Sequence, residues 1–172
     1  MKPGTLPAFD EKTGDLNVII ETPKGYRNKF AYDENTGLFW LSKLLPAGMA
    51  FPYSFGFIPS TRAGDGDPVD VMMIYDEPLF PGILVPARLI GGLKAKQSEG
   101  GKMKQNDRLF TVPVLPQEYS PPRHIRDLDK HLLHEIKDFF ITYQRLMGKK
   151  FEIQGEFGPK EAKALVQKSL EK

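Results

Sequence analysis

The run Gly64-Asp65-Gly66-Asp67-Pro68-Val69-Asp70-Val71 places three carboxylates within six residues. Gly permits unusual backbone angles and Pro fixes φ, so the loop is stiff and the acids repel one another. In the strand that follows, Val69, Val71 and Met73 alternate with Asp70, Met72 and Ile74, apolar on both faces below the acid. Asp70 is therefore expected at the mouth of a buried strand, where an ionised carboxylate costs several kcal/mol unless a positive charge answers it. Hard cations with oxygen ligands are the usual answer. A turn with solvated acids is the plainer account of any isolated Asp-Gly-Asp. An EF-hand fits poorly, since its loop needs Gly at position six and flanking helices, where this chain has Asp70 and a strand.

The elements that must hold this loop are legible in outline. Short β-branched or aromatic runs bounded by turn residues predict strands over 17–22, 29–33, 38–41, 69–74, 83–90, 109–114 and 151–154. Seven short strands suggest a small closed or highly curved sheet. Leu128, Leu132, Leu133, Ile136, Phe139, Phe140, Tyr143, Leu146 and Met147 recur at helical spacing, with Asp127 or Asp129 as cap and Gly148 as stop. A second helix is expected over 159–170, with Pro in its first turn. Strands first and helices last is an α+β arrangement, and a Rossmann-type sheet would need helices between the strands. Residues 1–16 read as an extended N-terminal lead-in, and 17–172 as one domain.

Composition narrows the classes. The chain has 172 residues, 24 Lys+Arg against 22 Asp+Glu, 40% hydrophobic and 27% charged residues, which is a globular balance. Gly and Pro, at 16 and 15, exceed the usual joint share of ~12% and favour turns over a helical bundle. No cysteine means no disulfide, no thiolate nucleophile and no zinc ribbon. With no export-type N-terminus and no run of ~20 apolar residues, a cytoplasmic protein is expected, with neither membrane nor nucleic acid as partner. A net charge of +2 without a dense basic stripe agrees with the latter. Phe51, Tyr53, Phe55 and Phe57 sit at successive odd positions, which suits a buried face better than a base-stacking platform.

The segment Asp65-Gly66-Asp67-Pro68-Val69-Asp70 resembles the signature of the soluble family I inorganic pyrophosphatases. Other pieces agree in order: Val18-Ile19-Ile20-Glu21 followed by Pro23, Lys29, Lys43, Phe51-Pro52-Tyr53-Ser54-Phe55-Gly56-Phe57, Pro81-Gly82, Leu93-Lys94, and Phe139-Phe140 leading to Tyr143. The resemblance spans roughly residues 17 to 155. It implies a five-stranded OB-like β-barrel with additional short strands and two C-terminal helices packed outside, and Mg²⁺-dependent hydrolysis of pyrophosphate. Pyrophosphate is densely negative, so attack by water needs metals and basic side chains to cover charge. Carried over by position, Asp65 and Asp70 would ligate metal, Asp67 would orient or deprotonate the water, and Glu21 would support the metal-bound water shell. Lys29, Lys43, Arg108 and Tyr143 would hold phosphate. On residue grounds alone, Glu21, Lys29 and Lys43 read as solvated surface groups, and Tyr143 equally as a core tyrosine with its hydroxyl at the rim. The resemblance also implies a homo-oligomer, commonly a hexamer.

The chain departs from the family pattern after Leu93-Lys94. Gln97 and Asn106 stand where acids are expected, Arg108 stands where a Lys is expected, and the segment 95–108 is about four residues longer. Asn106 is left as a neutral metal ligand. Ala31 replaces a Glu, Phe55 a Tyr, Gln144 a Lys, and Lys43 an Arg. These losses define an alternative: a catalytically impaired relative that binds phosphate-containing ligands or acts as an assembly partner.

Overall fold

The computed structural model describes residues 2–64, 66–115 and 120–170. Among the described residues, nine strands and two α-helices are formed: β1 (Leu16–Thr22), β2 (Asn28–Asp33), β3 (Leu38–Leu44), β4 (Ser54–Ile58), β5 (Val69–Met73), β6 (Leu84–Glu99), β7 (Lys102–Gln105), β8 (Arg108–Pro113), α1 (Lys130–Leu146), β9 (Phe151–Phe157) and α2 (Pro159–Lys168). β1 pairs with β4, β4 with β5, β5 with β8, β8 with β6, and β6 again with β1, so five strands form a ring. The β5–β8 pair is parallel and the other pairs are antiparallel, which makes the sheet mixed. β2 and β3 form a separate hairpin. No helix among the described residues is long and apolar enough to cross a membrane.

Alternation along the ring strands builds two apolar clusters. Val71 and Met73 of β5 join Val18, Ile20, Ile58 and Leu109 in the first, where Ala162 and Val166 of α2 also pack. Met72 and Ile74 join Phe110, Val112 and Leu93 in the second, against Leu133, Ile136 and Phe140 of α1. A period of two therefore buries both faces, as the apolar strand pattern requires. Ahead of β1, Ala8 belongs to the first cluster and Asn17 Nδ2 donates to the Pro7 carbonyl at 2.9 Å.

Several boundaries differ from those predicted, each for a local reason. β6 runs on to Glu99 because Gly91 and Gly92 bend the strand without ending it. The pairing with β8 slips between Leu89 and Gly91, and a Cβ at Gly91, where φ is 132°, would lie 2.2 Å from the Phe157 carbonyl oxygen. The lengthened segment 95–108 is a hairpin of β6 and β7 turning at Gly100 and Gly101. β7 was hidden because Lys102, Met103, Lys104 and Gln105 are all exposed and show no apolar face. β4 was hidden by Pro52, Gly56 and Pro59 in and around its aromatic run. The helix signals translate directly: Asp129 accepts from His131 N at 2.9 Å and Leu132 N at 3.1 Å, while Asp127 caps the short 3₁₀ turn at Ile125–Asp127.

Candidate active site

β1 ends in a bulge. Its pairing with β4 steps from Ile20↔Gly56 to Thr22↔Phe55, so Glu21 has no cross-strand partner in this pair and its side chain is re-aimed. Glu21 Oε1 accepts from Tyr32 N at 2.7 Å, which ties β1 to the β2–β3 hairpin. Burial, and next the charge of Asp70, push the Glu21 carboxyl up to about 7, against the opposing pull of the Tyr32 N–H and Lys29. Asp67 adds a smaller push in the same direction.

The desolvated acid is thus Glu21 and not Asp70. Asp70 is the second residue of β5, at the mouth of the strand as expected, but its side chain is 58% exposed, and full burial starts only at Val71. It stands 3.9 Å from Arg108 Nη1, so part of its charge is answered by a guanidinium. Asp65 lies outside the described residues.

Across from the acids, the hairpin sets two ammonium groups side by side. Lys29 and Lys43 are cross-strand partners, an arrangement that costs stability unless an anion lies between the charges. Burial foremost, then Lys29 and Lys149, hold the Lys43 amine below the usual lysine range. Arg108, at the start of β8, has its guanidinium 5.5 Å from the ring centres of both Phe140 and Phe151. Its Nη2 donates to Gln97 Oε1 at 3.3 Å, and Asn106 Nδ2 donates to the same oxygen at 3.1 Å. Asn106, in the connection before β8, and Arg108 therefore converge on one amide oxygen.

These groups share one cavity of about 200 Å³. Asp67, Asp70, Lys29, Lys43, Asn106, Arg108 and Tyr143 all line it. The ring of Tyr143 stacks on that of Phe139 at 5.8 Å, and the same residue lines the cavity. Glu21 faces an adjoining hollow together with Lys29, Asp67 and Asp70. The sequence reading missed Lys149, which also lines the cavity. Its signal was the helix stop at Gly148, after which the chain must turn back.

Among the described residues, no three His, Asp or Glu side chains gather tightly enough to hold a metal by themselves. The donor chemistry still fits a hard divalent cation, because the acids present offer oxygen ligands and already hold the Glu21 proton against one another's charge.

A family model described as inorganic pyrophosphatase matches residues 18–172. The chain belongs to the inorganic pyrophosphatase family. It is 41% identical to the inorganic pyrophosphatase of Synechocystis sp. over 150 residues, covering 87% of this chain and 86% of that one. With the inorganic pyrophosphatase of a Nostoc species it shares 37% identity over 165 residues, 96% and 95% of the two chains. The crystal structure of inorganic pyrophosphatase from Thermus thermophilus superimposes with a TM-score of 0.88 at 31% identity, covering 99% of this chain and 97% of that one.

Set in the family pattern, the departures cluster in space. Gln97, Asn106 and Arg108 form a single hydrogen-bonded group, so the amides that replace acids serve a guanidinium. Phe55 is an aromatic contact of Phe51, Phe139 and Phe140, which accounts for the loss of a hydroxyl there.

The raised Glu21 carboxyl makes stability depend on pH. The folded protein holds a proton that the unfolded chain releases near 4.5, so in the metal-free protein stability falls as pH rises from about 4.5 to about 7. At 1.36 kcal/mol per unit of pKa, the whole effect is about 3 kcal/mol. Urea titrations in EDTA at pH 5 and pH 8 should show that fall for the wild type and not for Glu21→Gln. An equal pH slope for both proteins would refute it.

Proposed function

We propose that this chain hydrolyses inorganic pyrophosphate to two phosphates with the aid of divalent cations, Mg²⁺ foremost. The observation that carries the reading is one cavity lined by Asp67 and Asp70 together with Lys29, Lys43, Arg108 and Tyr143, in a chain of this family.

Asp65 and Asp70, with Asn106 Oδ1, would hold the cation, which when bound neutralises phosphoryl oxygens and lowers the pKa of water. Asp67 orients the attacking water and accepts its proton as the new P–O bond forms. The bridging P–O bond breaks and its electron pair leaves on the second phosphate. Glu21, fixed by the Tyr32 N–H, keeps a proton-exchanging carboxyl behind the water shell. Lys29 and Lys43 cover phosphate charge from the hairpin, Arg108 presents a guanidinium immobilised between two rings, and Tyr143 offers its hydroxyl.

The finer description of the fold belongs to the same reading: the ring β1-β4-β5-β8-β6 is a five-stranded OB-like barrel with α1 and α2 outside. Exposed Trp40, Leu41, Leu44 and Phe80 support a homo-oligomer, a hexamer by family resemblance, and a monomeric sedimentation coefficient would reject that assembly.

Phosphate release from pyrophosphate should rise with Mg²⁺ to a plateau and vanish in excess EDTA. No turnover at saturating metal would reject the proposal. Calorimetric binding of pyrophosphate without turnover would favour the impaired, phosphate-binding alternative.

A further inference from the structure

Lys29 and Lys43 are not alone on the cavity. Lys149 lines it as well, and it also borders a larger hollow of about 440 Å³ that adjoins it. The two spaces share Asp70, Gln97, Asn106 and Arg108, so Lys149 stands where they meet.

The end of α1 fixes this placement. Gly148 takes φ 72°, Gly148 N donates to the Arg145 carbonyl at 3.0 Å, and Lys149 N donates to the Gln144 carbonyl at 2.9 Å. This paired closure reverses the chain tightly. It delivers residue 149 beside the helix turn that carries Tyr143 and the buried amide Gln144.

Charge gives a second, independent indication. Among the described residues, the Lys29, Lys43 and Lys149 amines form no salt bridge within 4.0 Å, although Glu99 is near enough to Lys149 for that charge to help lower the Glu99 carboxyl. By contrast, Lys150 meets Glu152 at 2.7 Å and Lys104 meets Glu99 at 2.6 Å. Three ammonium groups converge on one small cavity while their neighbours are paired outside it. Lys149 is close enough to Lys43 to help hold that amine below its ordinary range. Such a trio is relieved by a polyanion, and an ammonium on a flexible stem is suited to phosphate oxygens.

We propose that Lys149 is a third direct ammonium ligand of the phosphate group at the cation end of the cleft, acting with Lys43 and Tyr143. This rests on the proposed hydrolysis of pyrophosphate and names a substrate-holding residue of that same site. Lys149 is exposed and caps a helix through its backbone, so replacing its side chain leaves the packed core intact.

The test is calorimetric titration of the full chain at saturating Mg²⁺ with inorganic phosphate and with methylenediphosphonate, which is not hydrolysed. Lys149→Ala should weaken both about tenfold, the effect of losing one charged hydrogen bond at a partly solvated site. Lys149→Arg should stay within about threefold of the wild type, and Lys150→Ala should be unchanged. In pyrophosphate turnover, Lys149→Ala should raise KM more than it lowers kcat. Wild-type affinity in Lys149→Ala, an equal loss in Lys150→Ala, or no measurable binding by the wild type would overturn the assignment. Wild-type turnover is followed in parallel. If turnover is present and Lys149→Ala binds normally, only the Lys149 assignment fails. If turnover is absent, the hydrolytic reading fails, while the binding ratio still decides Lys149.

Discussion

Asp67→Asn is expected to lower pyrophosphate turnover by about 10²- to 10⁴-fold, the usual worth of a positioned proton acceptor. Asp67 and Asp70 both border the cation-lined cavity and the hollow faced by Glu21, and of the two Asp70 stands against Arg108. Its side chain is exposed, and its backbone carbonyl accepts from Ala63 N at 2.7 Å. Asn preserves that contact and the size of the side chain but cannot take up a proton. Phosphate release should therefore collapse at every Mg²⁺ concentration, with a urea titration of the variant run alongside to separate lost chemistry from lost fold. Retention of more than about a tenth of the wild-type rate would remove Asp67 from the proton-transfer role.

Phe140→Ala should cost about 3–5 kcal/mol of stability, the range for emptying a buried aromatic site. Phe140 is only 2% exposed. Its ring lies 5.8 Å from that of Phe55, 5.7 Å from Phe139 and 6.0 Å from Phe151. It is also one of the two rings flanking the Arg108 guanidinium. The loss should appear as a lower urea midpoint with an unchanged slope. Phe140→Leu should restore most of the stability but not the phosphate affinity, because an aliphatic side chain refills volume without a π face for the cation. A loss below about 1 kcal/mol in Phe140→Ala would show that the second apolar cluster does not depend on this residue.

The acid loop, the helix α1 and most ring strands were legible because each is written locally: three Asp around Gly and Pro, a 3.6-residue apolar stripe, and short β-branched runs. The site was legible as a set of residues but not as a charge distribution. An acid at the start of an apolar strand suggested that Asp70 would be desolvated, yet the bulge in β1 buries Glu21 instead, and a bulge is a property of two paired strands. The relation of Lys29 to Lys43 depends on hairpin register, and the shared hydrogen bond from Asn106 and Arg108 to Gln97 depends on the fold of the β6–β7 hairpin. Lys149 was overlooked because it belongs to no strand or helix pattern. Only the turn after Gly148 brings it back to Tyr143.

β6 pairs in turn with β1, β8, β7 and β9, and it also carries Gln97. One continuous segment thus joins the ring, the outer strands and the floor beneath the guanidinium. Fraying it at Ala87, at Gly92 and Leu93 or at Lys96 and Gln97 breaks ladders on two sides, so this wall opens at a higher free energy than an edge strand. Motion that admits substrate must then come from the β2–β3 hairpin, which forms its own two-stranded sheet, and from side chains at the rim.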